Sequence, residues 1–253
     1  MRVAIVIPAR HSSSRLPGKP LLKSTGKYLV QHVYERACAA QCSAEVIVAT
    51  DDSRIIEAVE SFHGKAMMTR EDHPSGTDRV AEVAEGIQAD VIVNLQGDEP
   101  QIDPQAIDLL VQQLRDAPSS EMATLAVPIR DRALYESPNV VKVVCDDRGR
   151  ALYFSRSPIP YCRDGEPDLH AEPAQYYQHL GIYAYRRATL LRLAKTPPHP
   201  LEETEKLEQL RMLGMGGAIQ VGFVSHAHRG VDTPADYDDF VRAYLGETSR
   251  RAA

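Results

Sequence analysis

The sequence predicts an α/β fold with a mostly parallel central sheet flanked by helices and a smaller β-rich lobe. Two observations support this prediction. Short apolar, β-branched runs alternate with helical patterns over about the first 122 residues, and such βαβ units build parallel sheets covered by helices. From about residue 123, short strand-like runs follow one another with brief connections. That change of pattern is typical of a β-rich insertion or lobe.

The first half of the chain alternates strand with helix. Apolar runs suited to buried parallel strands occupy residues 3–7, 45–49 and 91–95. Helical patterns occupy residues 28–40, 52–62, 77–87 and 103–115. Asp51 or Asp52 and Ser75 are candidate N-caps, and Pro104 is well placed at the first position of its helix.

The second half is organised differently. Strand-like runs occupy residues 123–129, 140–145, 151–155, 180–185 and 217–225. Helical patterns occupy residues 201–213 and 235–245, and a Pro- and acid-rich loop covers 157–175. We therefore expect a single domain over residues 1–253. Its core would comprise about 1–122 and 218–247, and its lobe about 123–217.

Composition narrows the function classes. The 253 residues carry a formal net charge of −6, whereas general nucleic-acid binders usually show a basic excess. No apolar run approaches the roughly 20 residues that span a bilayer, and the first run is too short for a signal peptide. The four cysteines lack zinc-site spacing and are expected to be reduced thiols. These features predict a cytoplasmic protein with no membrane or nucleic-acid partner.

The densest chemical signal is the loop at residues 8–21, after the first strand. Arg10, Arg15 and Lys19 lie on this loop among small and hydroxyl residues. Ligands of open α/β sheets bind at the carboxyl ends of the strands, where cations and backbone N–H groups can hold a triphosphate. Neither G-x-x-x-x-G-K-[ST] nor a G-x-G-x-x-G after the first strand occurs. A solvated basic loop is the alternative.

An ordered set of motifs resembles the sugar nucleotidyltransferases, and within them the 3-deoxy-manno-octulosonate (Kdo) cytidylyltransferases, or CMP-Kdo synthetases. The loop P-A-R-x-x-S-x-R-L-P-G-K-P-L is one such motif. The others lie at residues 69–70, 75–79, 94–100, 123–128, 139–144, 151–156, 179–183, 207–211 and 230–234. The resemblance covers nearly the whole chain and implies a Rossmann-like nucleotide-diphospho-sugar transferase fold. His11 and Tyr28 depart from the family, which usually has an aromatic residue and a proline there.

The resemblance implies a nucleotide and metal site. Arg10, Lys19, Asp98 and Asp232 would be catalytic, and Asp98 and Asp232 would bind Mg²⁺. From spacing alone, each aspartate would more often be a turn or cap residue. Glu99 is expected to point elsewhere and to be structural. CTP would be bound by Ala9, Arg10, Ser13, Arg15, Lys19, Thr69, Ser75, Gly76, Thr77, Arg79, Gln96 and Asp98.

The resemblance also implies a site for an acidic octulosonate sugar in the lobe. The sugar-binding residues would be Arg156, Arg163, His179, Tyr183, Glu208 and Gln209. Taken singly, Arg79 could be a surface helix residue, His179 and Tyr183 would usually be core or cross-strand residues, and Glu208 and Gln209 a solvated helix face. The family further implies a homodimer, formed through the lobe, that serves lipopolysaccharide biosynthesis.

The implied reaction is attack of the sugar's anomeric hydroxyl on the α-phosphorus of CTP, with release of pyrophosphate and with Mg²⁺ as cofactor. Three alternatives stay open on the sequence. They are a cytidylyltransferase for another acidic sugar, such as a sialic acid or amino-Kdo, a nucleotide-sugar-dependent glycosyltransferase, and a nucleotide-binding protein without catalysis.

Overall fold

The computed structural model describes residues 1–12, 15–227 and 230–252, with side chains described through residue 246. The strands are β1 (Val3–Ala9), β2 (Glu45–Thr50), β3 (Ala66–Met68), β4 (Val91–Asn94), β5 (Met122–Pro128), β6 (Lys142–Cys145), β7 (Ala151–Ser155), β8 (Tyr177–Arg186) and β9 (Ile219–Phe223). The α-helices are α1 (Leu29–Cys38), α2 (Ser53–Ser61), α3 (Gly76–Gly86), α4 (Pro104–Asp116), α5 (Arg132–Glu136), α6 (Arg187–Lys195), α7 (Pro200–Glu205), α8 (Gln209–Gly214) and α9 (Pro234–Ala252). A 3₁₀ helix covers Lys19–Leu21.

The chain divides into two compact units. Unit 1 comprises Met1–Ile107 with His228–Ala253, and unit 2 comprises Asp108–Ala227. No helix in the described part of the chain is both long and apolar enough to cross a lipid bilayer. All four cysteines are free thiols, as predicted.

The sheet of unit 1 is parallel, with strand order β3-β2-β1-β4. Ile5 on β1 lies opposite Val46 on β2 and Val93 on β4. Residues 3–7 of β1 are buried throughout, because a central parallel strand is covered on both faces. The β-branched run at the start of the chain therefore forms the core of this unit. The predicted N-caps are confirmed at Asp52 for α2 and at Ser75 for α3.

The strands of unit 2 are mixed in direction. Strand β5 pairs antiparallel with β8 and parallel with β9, while β6 pairs antiparallel with β7 and β8. The β5–β8 register shifts at Thr124/Leu125, and irregularities of this kind re-aim the side chains that follow. Phe154 and Tyr185 are fully buried in this unit.

The predicted single helix over residues 201–213 is wrong. Helix α7 ends at Glu205, its C-cap Lys206 adopts the left-handed conformation with φ of 55°, and α8 begins at Gln209. Glu202 closes the start of α7 through a capping box with His199, and Arg211 of α8 pairs with Glu202 at 2.5 Å. The only buried residue of α7 is Glu202, whereas α8 buries Gln209, Leu210 and Met212. The amphipathic pattern read over residues 201–213 did not reveal the break between them. Strand β3 and helices α5 and α6 were not predicted.

Candidate nucleotide and sugar sites

The loop predicted at residues 8–21, called the phosphate loop from here on, begins where β1 ends, at the carboxyl end of the unit 1 sheet. The N–H of Gly18 donates to the carbonyl of His11 at 3.1 Å, which ties these two residues of the loop together. Gly18 has a φ of 68°, a conformation that favours glycine. Arg10 is anchored by donation from Nη2 to the carbonyl oxygen of His73 at 2.7 Å. Ser13, predicted to bind CTP, lies outside the described residues.

The loop brings Lys19 between the two predicted metal ligands. The Lys19 ammonium is 2.8 Å from Asp98 Oδ2 and 3.3 Å from Asp232 Oδ1. Arg15 Nη2 is 3.2 Å from Asp232 Oδ1, and the Arg15 side chain is mostly exposed. The structure thus brings together four predicted residues from three separate segments of the chain: two cations of the phosphate loop and both aspartates.

Backbone contacts explain why Asp232 faces Asp98. The N–H of Val231 donates to the carbonyl of Asp98 at 2.8 Å, which ties the two segments together. Asp236 accepts from the N–H of Thr233 at 2.9 Å, and Thr233 Oγ1 accepts from the N–H of Asp236 at 3.2 Å. Thr233 and Asp236 therefore cap the start of α9. The alternative reading of Asp232 as a cap residue is wrong, and its carboxylate contacts cations instead.

The expectation that Glu99 points away from the site is wrong. The pKa of the Glu99 carboxyl is raised to about 8, mainly by burial and also by the negative charges of Asp98 and Asp232, while Lys19 opposes the shift. A Cβ atom at Gly230 would lie only 3.2 Å from Glu99 Oε1, so this carboxyl packs against the segment that leads to Asp232. The expectation rested on Glu99 being adjacent to Asp98, but the chain turns at residues 97–98.

The donor set fits a hard divalent cation. Asp98 and Asp232 supply only carboxylate oxygens, the ligands that Mg²⁺ prefers, and they converge on one positive group. Among the described residues, no cluster of three or more His, Cys, Asp or Glu side chains is arranged to hold a metal ion. A cation here would therefore complete its shell with water and substrate phosphates, as Mg²⁺ commonly does.

The predicted base-binding segment begins α3. Ser75 is the N-cap and accepts from the N–H of Asp78 at 3.2 Å, so the capping reading is confirmed. Thr77 is buried and accepts from Asn94 Nδ2 at 3.4 Å. Gln96 donates to Asn94 Oδ1 at 3.3 Å. These polar side chains lie at the carboxyl end of β4, next to the start of α3.

Arg79 is not a surface residue, as the alternative had it. Its side chain is 0% exposed and pairs with Asp51 at 2.5 Å. Its Nη1 also donates to Thr69 Oγ1, while Nε is buried and has no hydrogen-bond partner among the described residues. Arg79 thus holds the ends of β2 and β3 together. Its contact with a bound nucleotide stays a prediction.

Replacement of Arg79 by methionine is expected to lower the free energy of unfolding by about 3 kcal/mol. This is the low end for removing one partner of a buried ion pair, because Asp51 keeps some exposure. Urea unfolding measures the change. The matched control is Arg54→Met, which breaks the neighbouring surface pair with Asp52 and should barely move the midpoint. Equal midpoints in the two variants would show that the buried pair contributes little.

The predicted sugar residues of unit 2 form a buried polar set. His179 Nε2 is 2.9 Å from Thr124 Oγ1, and burial lowers the pKa of the imidazole to about 3, which keeps it neutral. Tyr183 donates to Gln209 Oε1 at 3.2 Å. Its pKa is raised by burial and further by the nearby charge of Glu208. The alternative, in which Glu208 and Gln209 belong to a solvated helix face, is wrong for Gln209, which is buried.

Gln209 and Arg156 each have a group available to bind a ligand. Gln209 Nε2 is a buried donor with no partner among the described residues. The Arg156 guanidinium donates to the carbonyls of Glu205 at 2.7 Å and Pro138 at 2.9 Å. Neutral carbonyls fix its position without cancelling its charge. Arg163 is exposed on the loop before β8.

Several residues of these networks were not assigned by the sequence. Asp51 pairs with Arg79, the His73 carbonyl anchors Arg10, and Glu205 holds the segment of Arg156. Asp51 was noticed only as a candidate cap. The sequence did contain a signal for this pair. Asp51 is an acidic residue directly after a strand, and Arg79 lies in a later helix, one turn before the apolar Val83. The contact between Arg10 and the His73 carbonyl could not be found from the sequence, because every residue carries a backbone carbonyl.

The family model described as cytidylyltransferase matches residues 4–219. A 3-deoxy-manno-octulosonate cytidylyltransferase of Escherichia coli is 50% identical over 246 residues, which is 97% of this chain and 97% of that protein. One from Syntrophotalea carbinolica is 51% identical over 239 residues, which is 93% of this chain and 96% of that protein.

Solved structures agree with the sequence matches. A structure of CMP:2-keto-3-deoxy-manno-octonic acid synthetase complexed with CTP matches with a TM-score of 0.91 at 49% identity. The match covers 98% of this chain and 100% of that one. A 4-diphosphocytidyl-2C-methyl-D-erythritol synthase from Anaerococcus prevotii matches with a TM-score of 0.62 at 12% identity, covering 97% and 98%. The second likeness concerns the fold alone, and together they confirm the predicted nucleotidyltransferase fold class.

Proposed function

The chain belongs to the family of 3-deoxy-manno-octulosonate cytidylyltransferases, and on that premise we propose that it activates Kdo with CTP. The products are CMP-Kdo and pyrophosphate. The observation that carries this proposal is the meeting of Lys19 with Asp98 and Asp232 at the end of a parallel sheet. The likeness to a CTP-bound synthetase over nearly the whole chain supports the choice of nucleotide.

The cations of the phosphate loop have a role in nucleotidyl transfer. When the sugar hydroxyl attacks the α-phosphorus, negative charge accumulates on the departing pyrophosphate. Arg10, Arg15 and Lys19 hold the triphosphate and offset that charge. Arg10 is pinned by the His73 carbonyl and Lys19 by two carboxylates, so little reorganisation is needed during the reaction. Preorganised charges of this kind supply much of the rate enhancement in such reactions.

We propose Mg²⁺ as the cofactor, held by Asp98 and Asp232. When bound, it supplies Lewis-acid stabilisation of phosphate oxygens and lowers the pKa of the attacking hydroxyl. The carboxylate-only donor set supports this choice over softer metals. The chain's own contribution is to place both carboxylates beside Lys19, through the Val231–Asp98 backbone hydrogen bond.

We assign the acidic sugar to unit 2. The uncancelled positive charge of Arg156 suits a carboxylate, which guanidinium groups bind through paired hydrogen bonds. The buried Nε2 donor of Gln209, the neutral imidazole of His179 and the protonated hydroxyl of Tyr183 suit sugar hydroxyls. The exposed Arg163 is a further candidate for the sugar. The combination of one cation with neutral hydrogen-bonding groups suits an acidic, polyhydroxylated substrate.

The proposal also concerns the cellular setting. We place the protein in the cytoplasm, acting as a homodimer in lipopolysaccharide biosynthesis. Four free thiols support a reducing compartment. Light scattering after size-exclusion chromatography measures the oligomeric state.

A pyrophosphate-release assay with a panel of nucleotides and sugars tests the function. We expect turnover with CTP and Kdo, and at least about 100-fold slower turnover with UTP, because a site that hydrogen-bonds the cytosine amine leaves groups unpaired with uracil. Mass spectrometry of the product identifies CMP-Kdo. Preference for sialic acid or amino-Kdo would reassign the sugar, and glycosyl transfer without pyrophosphate release would make the protein a glycosyltransferase.

A further inference from the structure

Lys142 is a buried cation to which the proposed reaction assigns no role. It begins β6 and is 0% exposed. Its Nζ donates to the carbonyl oxygens of Val140 at 2.6 Å, Arg156 at 2.6 Å and Ser137 at 2.9 Å. Within the described part of the chain, none of its hydrogen bonds ends on a carboxylate. Burial lowers the pKa of this amine, and the charge of Glu205 opposes that shift.

The three carbonyls that bind Lys142 belong to Arg156 itself and to the loop against which the Arg156 side chain lies. Ser137 and Val140 flank Pro138, whose carbonyl accepts from Arg156 Nη1 at 2.9 Å. The third carbonyl belongs to Arg156 itself. The ammonium therefore holds the backbone of the arginine and, on the other side, the loop on which its guanidinium rests. Loss of these three bonds would remove one support from each of them.

A second clamp acts on the same arginine from α7. The Glu205 carboxylate accepts from Ser155 Oγ at 2.6 Å and from the N–H of Arg156 at 3.0 Å. The carbonyl of Glu205 accepts from Arg156 Nε at 2.7 Å. Lys142 and Glu205 thus fix opposite sides of one short segment. Of the side chains of Lys142, Arg156 and Glu205, two are cations and one is a carboxylate, so these three together carry a net positive charge.

Stability alone gives little reason for a lysine at this position. Burial of a cation without a bonded carboxylate is costly, and neutral donors can satisfy backbone carbonyls. A fixed positive charge next to a binding arginine does favour an anionic ligand, and more strongly inside the protein than in water. The arrangement is accordingly suited to recognition of an acid.

We propose that Lys142 is a positioning residue for the acidic substrate, acting through Arg156, which it holds in place and whose positive charge it reinforces. This inference rests on the proposed function, because Arg156 must bind the sugar carboxylate. It adds a residue outside the assigned site and explains how preference for an acidic sugar is built into β6.

The test is a double-mutant cycle of Lys142→Met and Arg156→Met in the full chain. Steady-state kinetics give KM for Kdo and kcat, and calorimetry gives Kd for CTP. We expect Lys142→Met to raise KM for Kdo by about 10–100-fold, the effect of losing hydrogen bonds to a charged group, with Kd for CTP unchanged. In the Arg156→Met background, the same change should cost less than about threefold, because coupled residues are non-additive.

The matched control is Arg186→Met. Arg186 is also a cation of unit 2 that donates to backbone carbonyls, those of Ser120 at 2.9 Å and Leu114 at 3.0 Å. Its loss should lower stability without a selective change in KM for Kdo. If Lys142→Met does not fold, Lys142→Gln retains two donors and removes the charge, and the same measurements apply.

Several outcomes overturn the inference. Additive effects of the two substitutions, or parallel changes in Lys142→Met and Arg186→Met, would make Lys142 a purely structural residue. Loss of CTP binding in both Lys142 variants would make it a folding requirement. If Arg156→Met itself left KM for Kdo unchanged, the sugar assignment would fail first and the inference with it. Absence of CMP-Kdo formation by the unaltered protein would instead identify failure of the proposed function.

Discussion

Replacement of Lys19 by methionine is expected to lower kcat/KM for CTP by about 10²–10³, the usual cost of losing one preorganised charge that meets the transition state. Lys19 is mostly buried and contacts both Asp98 and Asp232. Its removal takes away a phosphate-binding charge and also leaves two carboxylates without their shared cation. Single-turnover kinetics separate the loss in chemistry from the loss in nucleotide binding.

A matched lysine makes this test specific. Lys27 lies on the exposed surface of the same unit and pairs with Glu35 at 2.6 Å. Lys27→Met should leave kcat/KM close to that of the unaltered protein. Arg10→Ala should resemble Lys19→Met, since Arg10 is fixed on the same loop. Near-normal kinetics in both loop variants would return residues 8–21 to the reading of a solvated basic loop.

The parts of the fold that follow from periodicity were predictable. Buried β-branched runs marked β1, β2 and β4 because both faces of a central parallel strand are apolar. Cap chemistry marked Asp52 and Ser75. The break between α7 and α8 was not predictable in this way, because it depends on one left-handed residue, Lys206, and on the Arg211–Glu202 pair. Both depend on the tertiary structure and leave no periodic pattern in the sequence.

The functional site, like the fold, was predictable from the sequence only in part. The loop that carries Lys19 was found because parallel strands deliver their following loops to one edge of the sheet. Asp98 was placed at the same edge, but its metal role rested on resemblance, because spacing alone favoured a turn or cap residue. Asp232 was separated from a turn residue only by resemblance, and the Thr233–Asp236 cap supplies the physical reason. The direction of Glu99 was mispredicted because the chain leaves extended geometry after β4. Lys142 was hidden because its partners are carbonyls, which every residue carries.

The two aspartates test the metal proposal, and their substitutions should differ in kind. Rigorous chelation should abolish turnover of the unaltered protein, and Mg²⁺ or Mn²⁺ should restore it. Asp98→Asn should weaken binding of Mg·CTP and slow chemistry, with a fall of about 10³ or more in kcat/KM. Asp232→Asn should leave CTP binding nearly intact and lower kcat by at least about 10², roughly 2.7 kcal/mol of transition-state stabilisation.

This difference follows from a two-metal mechanism, which we propose from the family resemblance. Asp98 would bind the cation that accompanies the triphosphate as well as the cation that serves the sugar hydroxyl, and Asp232 mainly the latter. Asp98 also makes the shorter contact with Lys19 and is the less exposed carboxylate, at 28% against 45% for Asp232. Calorimetric titration of CTP with Mg²⁺ and single-turnover kinetics with Kdo measure the two effects. Asp52→Asn is the matched control, because asparagine preserves the cap of α2. Normal turnover of Asp232→Asn would leave the cytidylyltransferase assignment standing and would remove the two-metal mechanism.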